Sequence, residues 1–436
     1  MRKLLIVFVS SLSILLFLGL YGCSSTSSQR GDNIVSGYAN SLRPISSDLD
    51  GAQFEIPPVL KASDYLPPDL KRGRQYFVNE DIYTDGFTNR YRLSSDFFVM
   101  DVQGDDMLRA HIQEVRALDA LAKMKKTSAF ADAVKNTAKS PFYMAKDLIT
   151  HPVDTVTGVP KGIWRFMGRA GEMVTGERGE IEDTAAQELI GFSAAKRKLA
   201  HQLGVYVYST NITLQKELNS VSWASFSGGF VTGLAMTPIQ ALKLTKVAHR
   251  MNKILLDNAP EDLRKMNRAS LRGMGVEEKW IERFLRHAHI SPRHETIIVE
   301  SLKGLKGAKS RNKFIAVATT AESFEEAFFF QRVAEMLLEY HLKIASIKEI
   351  VVVNRLLMGL TEEKNLFLPL LWDYGVWSKP AALKAKEIMQ SASQRFQIKN
   401  IELWTSGTLS AKARQKFEEM GFKVTEKAFS RLKDHL

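Results

Sequence analysis

The alternation of apolar and polar positions gives the central part of the chain a helical period. From Asp105 onward, apolar residues recur every three or four positions, which places them on one face of a helix. They are Leu108, Ile112, Val115, Leu118 and Ala122. A second amphipathic pattern covers residues 185–203 and ends at Gly204, a residue typical of helix C-termini. These patterns predict a largely helical domain over residues 105–306.

The C-terminal third alternates short apolar runs with helical patterns. The runs predicted to be strands are 314–319, 349–354, 401–404 and 422–425. The segments predicted to be helices are 323–344, 381–396 and 410–420. Because strand and helix alternate, and because the strands are apolar throughout, the pattern favours βαβ units with a mainly parallel sheet. Residues 307–436 are therefore predicted to form a Rossmann-like α/β domain.

The region before the helices has a period of two instead. Residues 75–78, 91–93 and 97–102 read as strands, with Asp85-Gly86 as a turn between the first two. Residues 73–104 are thus predicted to be a small β element, and residues 23–72, rich in turn residues, a tether or extended arm. The predicted fold class is α+β with several domains.

The N-terminus carries a different pattern, with two cations followed by an apolar run. Arg2 and Lys3 precede the apolar stretch 4–20, which is the layout of a secretory signal. The stretch ends in Leu20-Tyr21-Gly22-Cys23, which resembles the lipobox of bacterial lipoproteins. The resemblance implies cleavage after Gly22 and a diacylglyceryl group on the Cys23 thiol. Two alternatives stay open, namely an ordinary cysteine behind a cleaved signal, or a retained membrane anchor.

The same resemblance implies where the protein resides. Ser24 follows the cysteine, in place of the Asp that typically keeps such proteins at the inner membrane. We therefore expect a lipid-anchored protein of the cell envelope, on the outer membrane and facing the periplasm. Its expected partners are the membrane, through the lipid, and an envelope protein.

Composition excludes several kinds of site. Cys23 is the single cysteine, so the mature body has no internal disulfide, no cysteine-ligated metal and no cysteine nucleophile. The formal charge of +12 falls to +10 when Arg2 and Lys3 leave with the signal. A basic body suits anionic lipid headgroups or an acidic polymer, or reflects an ordinary solvated surface. Nucleic acid is not expected as a partner of an exported protein.

The candidate ligand site lies at the carboxyl ends of the predicted strands, where open α/β sheets bind ligands. Its residues are Asn354, Arg355, Thr405, Ser406 and Gly407, with Thr319 and Thr320 at a third strand end. Small hydroxyl residues before a helix N-terminus suit an anion. The alternative is that these hydroxyl groups simply form the turn and cap the helix.

Familiar catalytic motifs are missing from the sequence. It contains neither G-x-S-x-G nor H-E-x-x-H, and His287, His289 and His294 have no carboxylate at a familiar metal-ligand spacing. Carboxylate pairs such as Glu325 and Glu326, or Asp183 and Glu188, are usually solvated, and none is singled out as catalytic. No cofactor and no metal are predicted.

Three functional hypotheses follow. The first is a non-enzymatic envelope protein that binds a partner or supports cell-surface structure. The second is a periplasmic enzyme or small-ligand binder with its site at the strand ends, indicated by a deep pocket there. The third is lipid handling through the glycine-rich segment 225–238, near Phe226 and Phe230.

Overall fold

The computed structural model of the protein describes residues 54–137, 180–229, 246–395, 398 and 400–429. Gly22 and Cys23, and with them the predicted signal and lipidation site, lie outside these residues. So does most of the glycine-rich segment, of which only residues 225–229 are described. Within the described part of the chain, no helix is both long enough and apolar enough to cross a bilayer.

A small antiparallel sheet, here called the N-terminal sheet, opens the described chain. Its strands are β1 (Val59–Lys61), β2 (Tyr76–Val78), β3 (Asp81–Thr84), β4 (Asn89–Ser95) and β5 (Val99–Gln103). Strand β4 pairs with β2, β3 and β5, and β3 pairs in turn with β1. Side chains along β4 alternate, so that Tyr91 and Leu93 face the core while Arg90 and Arg92 face outward.

Two single-turn helices, α1 (Ala62–Tyr65) and α2 (Pro68–Lys71), follow β1. Strand β1 and these two helices fall within residues 23–72, for which the sequence predicts a tether. Ala62, Leu66 and Leu70 are buried in the core of the N-terminal sheet, and this burial stabilises the segment against the sheet.

Helices make up the middle of the molecule. They are α3 (Asp105–Lys125), α4 (Ser128–Thr137), α5 (Glu180–Leu203), α6 (Ile212–Gly228), α7 (Lys246–Asp257), α8 (Pro260–Gly273), α9 (Glu278–Leu285), α10 (Pro292–Gly304), α11 (Arg311–Ala318) and α12 (Phe324–Lys343). Three of them begin at a polar residue whose side chain accepts a backbone N–H of the first turn, namely Asn211, Ser291 and Ser323. These local signals explain why the sequence places several helix starts well.

A second sheet of five strands, the C-terminal sheet, has the order β12-β10-β8-β7-β6. Its strands are β6 (Ile347–Val353), β7 (Leu356–Thr361), β8 (Asn365–Leu370), β10 (Asn400–Thr405) and β12 (Phe422–Thr425). Helix α13 (Lys379–Arg395) connects β8 to β10, and α14 (Ala411–Glu419) connects β10 to β12. Two-residue strands β9 (Tyr374–Gly375) and β11 (Thr408–Leu409) pair separately.

The prediction of a Rossmann-like domain with a mainly parallel sheet is wrong. Strands β6, β7 and β8 form an antiparallel meander, and only the pairs β8–β10 and β10–β12 are parallel, so the sheet is mixed. The run 314–319 was expected to be a strand and lies mostly in helix α11, because a short apolar run has no period that separates a strand from a buried helix. The hairpin of β7 and β8 was not predicted.

The core extends on both faces of the C-terminal sheet. On one face, α12 packs against the strands, and the Tyr340 ring stacks on Phe367 with 3.9 Å between ring centroids. On the other face, α13 and α14 cover the strands, and Phe417 lies in that cluster. The first of these clusters also contains residues of α8, α9 and α10, so one core runs across the predicted domain boundary at 306/307.

Candidate functional site

Four strands of the C-terminal sheet end at the same edge. Strand β7 is antiparallel to both β6 and β8, and β10 and β12 are parallel to β8. The carboxyl ends of β6, β8, β10 and β12 therefore lie side by side. Ligands in such sheets bind beyond these ends.

A cavity of about 90 Å³, partly open to solvent, lies at this edge, and we call it the edge cavity. Its walls come from the end of β5, the start of α3, the start of α12 and the loops after β8 and β10. The polar wall residues are Thr88, Gln103, Asp106, Ser323, Glu325, Glu326, Arg332, Asp373 and Ser406. The apolar wall residues are Met107, Phe328, Phe329 and Leu371.

The N-terminal sheet closes one side of the edge cavity because its β3–β4 turn docks on the loop after β8. The Asp373 N–H donates to the Phe87 carbonyl at 2.8 Å, and the Val376 N–H donates to the Gly86 carbonyl at 3.0 Å. The Phe87 ring packs against Trp372 with 4.8 Å between centroids. The Asp85-Gly86 turn read from the sequence thus joins the two sheets.

Asp373 is the buried centre of this contact. One carboxylate oxygen accepts the Asn89 N–H at 3.0 Å and the other accepts the Asp105 N–H at 3.2 Å. Burial, and next the neighbouring Asp105 carboxylate, raise the pKa of Asp373 well above its usual range.

Asp105 shares this environment and has three side-chain donors. It accepts the Tyr65 hydroxyl at 3.0 Å, the Asn89 side-chain amide at 3.1 Å and the Tyr91 hydroxyl. Burial raises the pKa of Asp105, and these three donors oppose that rise because they stabilise the carboxylate. The pair fixes the start of α3 against the loop after β8, which sets the position of two walls of the edge cavity.

Glu326 is the wall residue best placed for proton exchange near neutral pH. Burial, the dominant cause, raises its pKa to about 7. Its carboxylate accepts the Glu322 N–H, while the Ser323 hydroxyl accepts the Glu326 N–H at 3.2 Å and caps α12. A carboxyl group with this pKa can accept or release a proton under physiological conditions.

Among the described residues of the wall, Arg332 is the one cation, and its charge is already balanced. Its guanidinium donates to Asp106 at 3.0 Å and to Glu335 at 2.5 Å, and it lies 3.7 Å from the centroid of the Phe429 ring. Glu325, Glu326 and Asp373 have no such basic partner among the described wall residues. The edge cavity is therefore acidic.

Thr88 gives the wall an unused hydrogen-bonding group. Its side-chain hydroxyl is buried and has no hydrogen-bond partner among the described residues. Buried hydroxyl groups nearly always have a partner, so the Thr88 hydroxyl is an exception among the wall residues.

The residues predicted from sequence lie at this edge, and one of them lines the edge cavity. Ser406 is in the wall, and Thr405 and Gly407 flank it. The Thr405 and Ser406 hydroxyls and the Gly407 N–H all donate to the Trp372 carbonyl, at 2.9, 3.0 and 2.7 Å. These groups hold the loops after β8 and β10 together.

Asn354 and Arg355 form the β6–β7 turn at the same edge but outside the wall of the edge cavity. Both have positive φ angles, 44° and 68°, as hairpin turns of two residues require. The Arg355 guanidinium donates to the Thr320 hydroxyl at 2.8 Å. Arg355 and Thr320, placed together from sequence as strand ends, are thus in contact, although Thr320 follows a helix.

The predicted anion site at the start of α14 has a different role in the structure. The Ser410 hydroxyl accepts the Ala413 N–H at 3.0 Å and so caps the helix. Burial lowers the pKa of His294 to about 3, and its Nδ1 accepts the Ser291 N–H, while the His287 Nδ1 accepts the His289 N–H. Among the described residues, no group of three potential ligands is arranged to hold a metal ion.

Sequence reasoning missed Thr88, Asp106, Arg332 and Asp373, and it left Glu326 undistinguished from its neighbour Glu325. An Asp three residues beyond an apolar strand was the available signal for Asp373. Comparison of the chain with models of known protein families, with curated proteins and with solved structures gives no match.

Proposed function

We propose that this protein is a lipid-tethered protein of the cell envelope whose body binds a small cationic molecule in the edge cavity. The observation that carries the binding role is the acidic wall, to which Glu325 and Glu326 contribute carboxyl groups, while the charge of Arg332 is balanced by Asp106 and Glu335. Favourable Coulomb energy in a partly buried site selects a positive ligand.

The cavity also limits the size and shape of the ligand. A volume of about 90 Å³ suits a group of a few carbon atoms bearing one charge. Phe328, Phe329 and Met107 supply apolar contact for the carbon part.

The tether is proposed from the sequence around Cys23 and from the basic, cysteine-poor body that follows it. Intact mass spectrometry of the membrane-extracted protein tests it, since we expect Cys23 to carry the lipid and residues 1–22 to be missing. A Cys23→Ala variant should leave the membrane fraction. An unmodified sulfur or a retained leader would contradict the tether but not the ligand site.

Calorimetric titration tests the ligand site. We expect n-butylammonium to bind and n-butanol, of the same size without the charge, to bind at least several-fold more weakly. Glu326→Gln should weaken the ammonium and leave the alcohol unchanged, whereas Glu362→Gln, an exposed change in the β7–β8 turn, should alter neither.

If the amine and the alcohol bind equally, or if neither binds, the edge cavity is not a cation site. In that case we would infer that the folded body of the protein has a structural or partner-binding role in the cell envelope.

A further inference from the structure

The outward face of the N-terminal sheet exposes apolar side chains at unusual density. Large apolar residues that are well exposed in the described chain include Ile56, Val59, Phe77, Tyr83 and Val99, and these five fall within residues 54–103. Ile56 is 91% exposed and Tyr83 is 59% exposed. Isolated exposed apolar residues are ordinary, but several on one surface indicate a contact.

Strand register shows that four of these side chains share one face. Val59 pairs with Tyr83, and Tyr83 pairs with Arg90 on the next strand. Phe77 pairs with Ser94, and Ser94 pairs with Val99. Arg90 and Ser94 are an even number of residues apart on β4, so their side chains point to the same side of the sheet. The cross-strand partners of Arg90 and of Ser94 therefore point to that side as well.

The same face carries charged side chains beside the apolar ones. Lys61, Arg90 and Arg92 lie on it, against the carboxylates of Asp81 and Asp101. Lys61 pairs with Asp81 at 2.5 Å and Arg92 with Asp101 at 2.9 Å, both in exposed positions where such pairs contribute little to stability. A surface of valine, aromatic rings and arginine matches the interface of an anionic bilayer.

Strand β1, the strand of this sheet that follows the proposed tether in sequence, lies at the sheet edge, which favours the bilayer as occupant. The described chain begins at Phe54, and Ile56 and Val59 follow at once. Only about 30 residues separate Phe54 from Cys23, a distance of at most on the order of 100 Å even when fully extended. A lipid on Cys23 would therefore hold this face within reach of the membrane surface.

We infer that the outward face of the N-terminal sheet, centred on Val59, Phe77, Tyr83 and Val99, is a membrane-contact surface that lies on the headgroups of an anionic bilayer. This inference rests on the proposed tether. It orients the body with the N-terminal sheet toward the lipid.

Spin labelling of the full chain in vesicles tests the contact. One variant is Tyr83→Cys, and the matched control is Leu342→Cys, a position of equal exposure (57%) at the end of α12. Vesicles contain phosphatidylethanolamine with phosphatidylglycerol, or phosphatidylcholine alone. The measured quantity is the ratio of the label's collision rate with oxygen to its collision rate with a water-soluble nickel chelate. We expect this ratio to be several-fold higher at position 83 than at position 342. On phosphatidylcholine vesicles the difference between the two positions should be smaller.

Equal access of the nickel chelate to both positions would overturn the inference. Protection of position 83 that persists without vesicles would overturn it too, and would assign the face to a second copy or to residues 24–53. The unsubstituted chain is labelled in parallel, because uptake of label there reports an unacylated Cys23. Labelling of Cys23 therefore reports whether the tether fails. The collision rates of the label at position 83 report separately whether the contact fails.

Discussion

The Ser410 hydroxyl donates a hydrogen bond of 2.6 Å to the Glu55 carboxylate, which joins the start of the described chain to a helix 355 residues later. The same carboxylate accepts the Trp377 N–H at 2.6 Å, and the Glu55 N–H donates to the Trp377 carbonyl at 2.9 Å. The segment that leads into the N-terminal sheet is therefore fixed to the C-terminal sheet at the same end as the edge cavity.

Removing either partner of this contact should destabilise the protein. Ser410→Ala removes the cap of α14 as well as the bond to Glu55, and we expect a loss of about 1 to 2 kcal/mol in the free energy of unfolding. Glu55→Ala should cost a similar amount. Urea denaturation of both single variants and the double variant measures the coupling. Strict additivity of the two losses would show that the bond contributes nothing.

The loop after β10 approaches the loop after β8 so closely that Gly407 cannot be replaced. A Cβ at this position would lie 1.9 Å from the Asp373 carbonyl oxygen. We expect Gly407→Ala to destabilise the protein by about 3 kcal/mol or more and to abolish amine binding, since both loops wall the edge cavity.

Gly273→Ala is the matched control for this substitution. A Cβ at Gly273, the last residue of α8, meets nothing within 4 Å. The change should leave stability equal or higher by up to about 1 kcal/mol. Thermal unfolding of the two variants separates steric conflict at residue 407 from a general effect of alanine.

Local signals explain what could be predicted from the sequence and what could not. Ser291, Ser323 and Ser410 each cap a helix, and such caps can be read from the sequence because a cap depends on the three following residues alone. Leu356–Thr361 was missed because every residue of that strand is buried, so it shows no alternation. The edge cavity depends on Asn89 contacting Asp373 across 284 residues, which no local pattern encodes.

Glu295 should make stability depend on pH. This fully buried carboxyl group has no hydrogen-bond partner for either oxygen among the described residues, and the Arg264 Nε lies 3.6 Å away. Burial raises its pKa to about 8. Since the folded state holds the proton more tightly than the unfolded state, Glu295 contributes a loss of stability as pH rises from about 4.5 to 8.

Glu295→Gln removes this contribution. Relative to the parent chain, we expect the variant to gain about 3 to 4 kcal/mol in the free energy of unfolding between pH 5 and pH 8. Urea denaturation at both pH values measures the difference, and Glu362→Gln serves as the exposed control. A difference that does not change with pH would mean that Glu295 is ionised in the folded protein at pH 5.

Amine binding in the edge cavity should strengthen as pH rises through about 7, the value to which burial raises the pKa of Glu326. A carboxylate attracts the ammonium ion and a neutral carboxyl group does not, while an alkylammonium, like lysine, keeps its charge until about pH 10. Between pH 6 and pH 8 the affinity for n-butylammonium should increase by up to about tenfold, as the ionised fraction of Glu326 increases. In Glu326→Gln the affinity should be low and nearly constant over the same range. If the variant keeps the pH dependence of the parent chain, another wall carboxyl such as Asp373 titrates with the ligand, and Glu326 is not the group that recognises the cation.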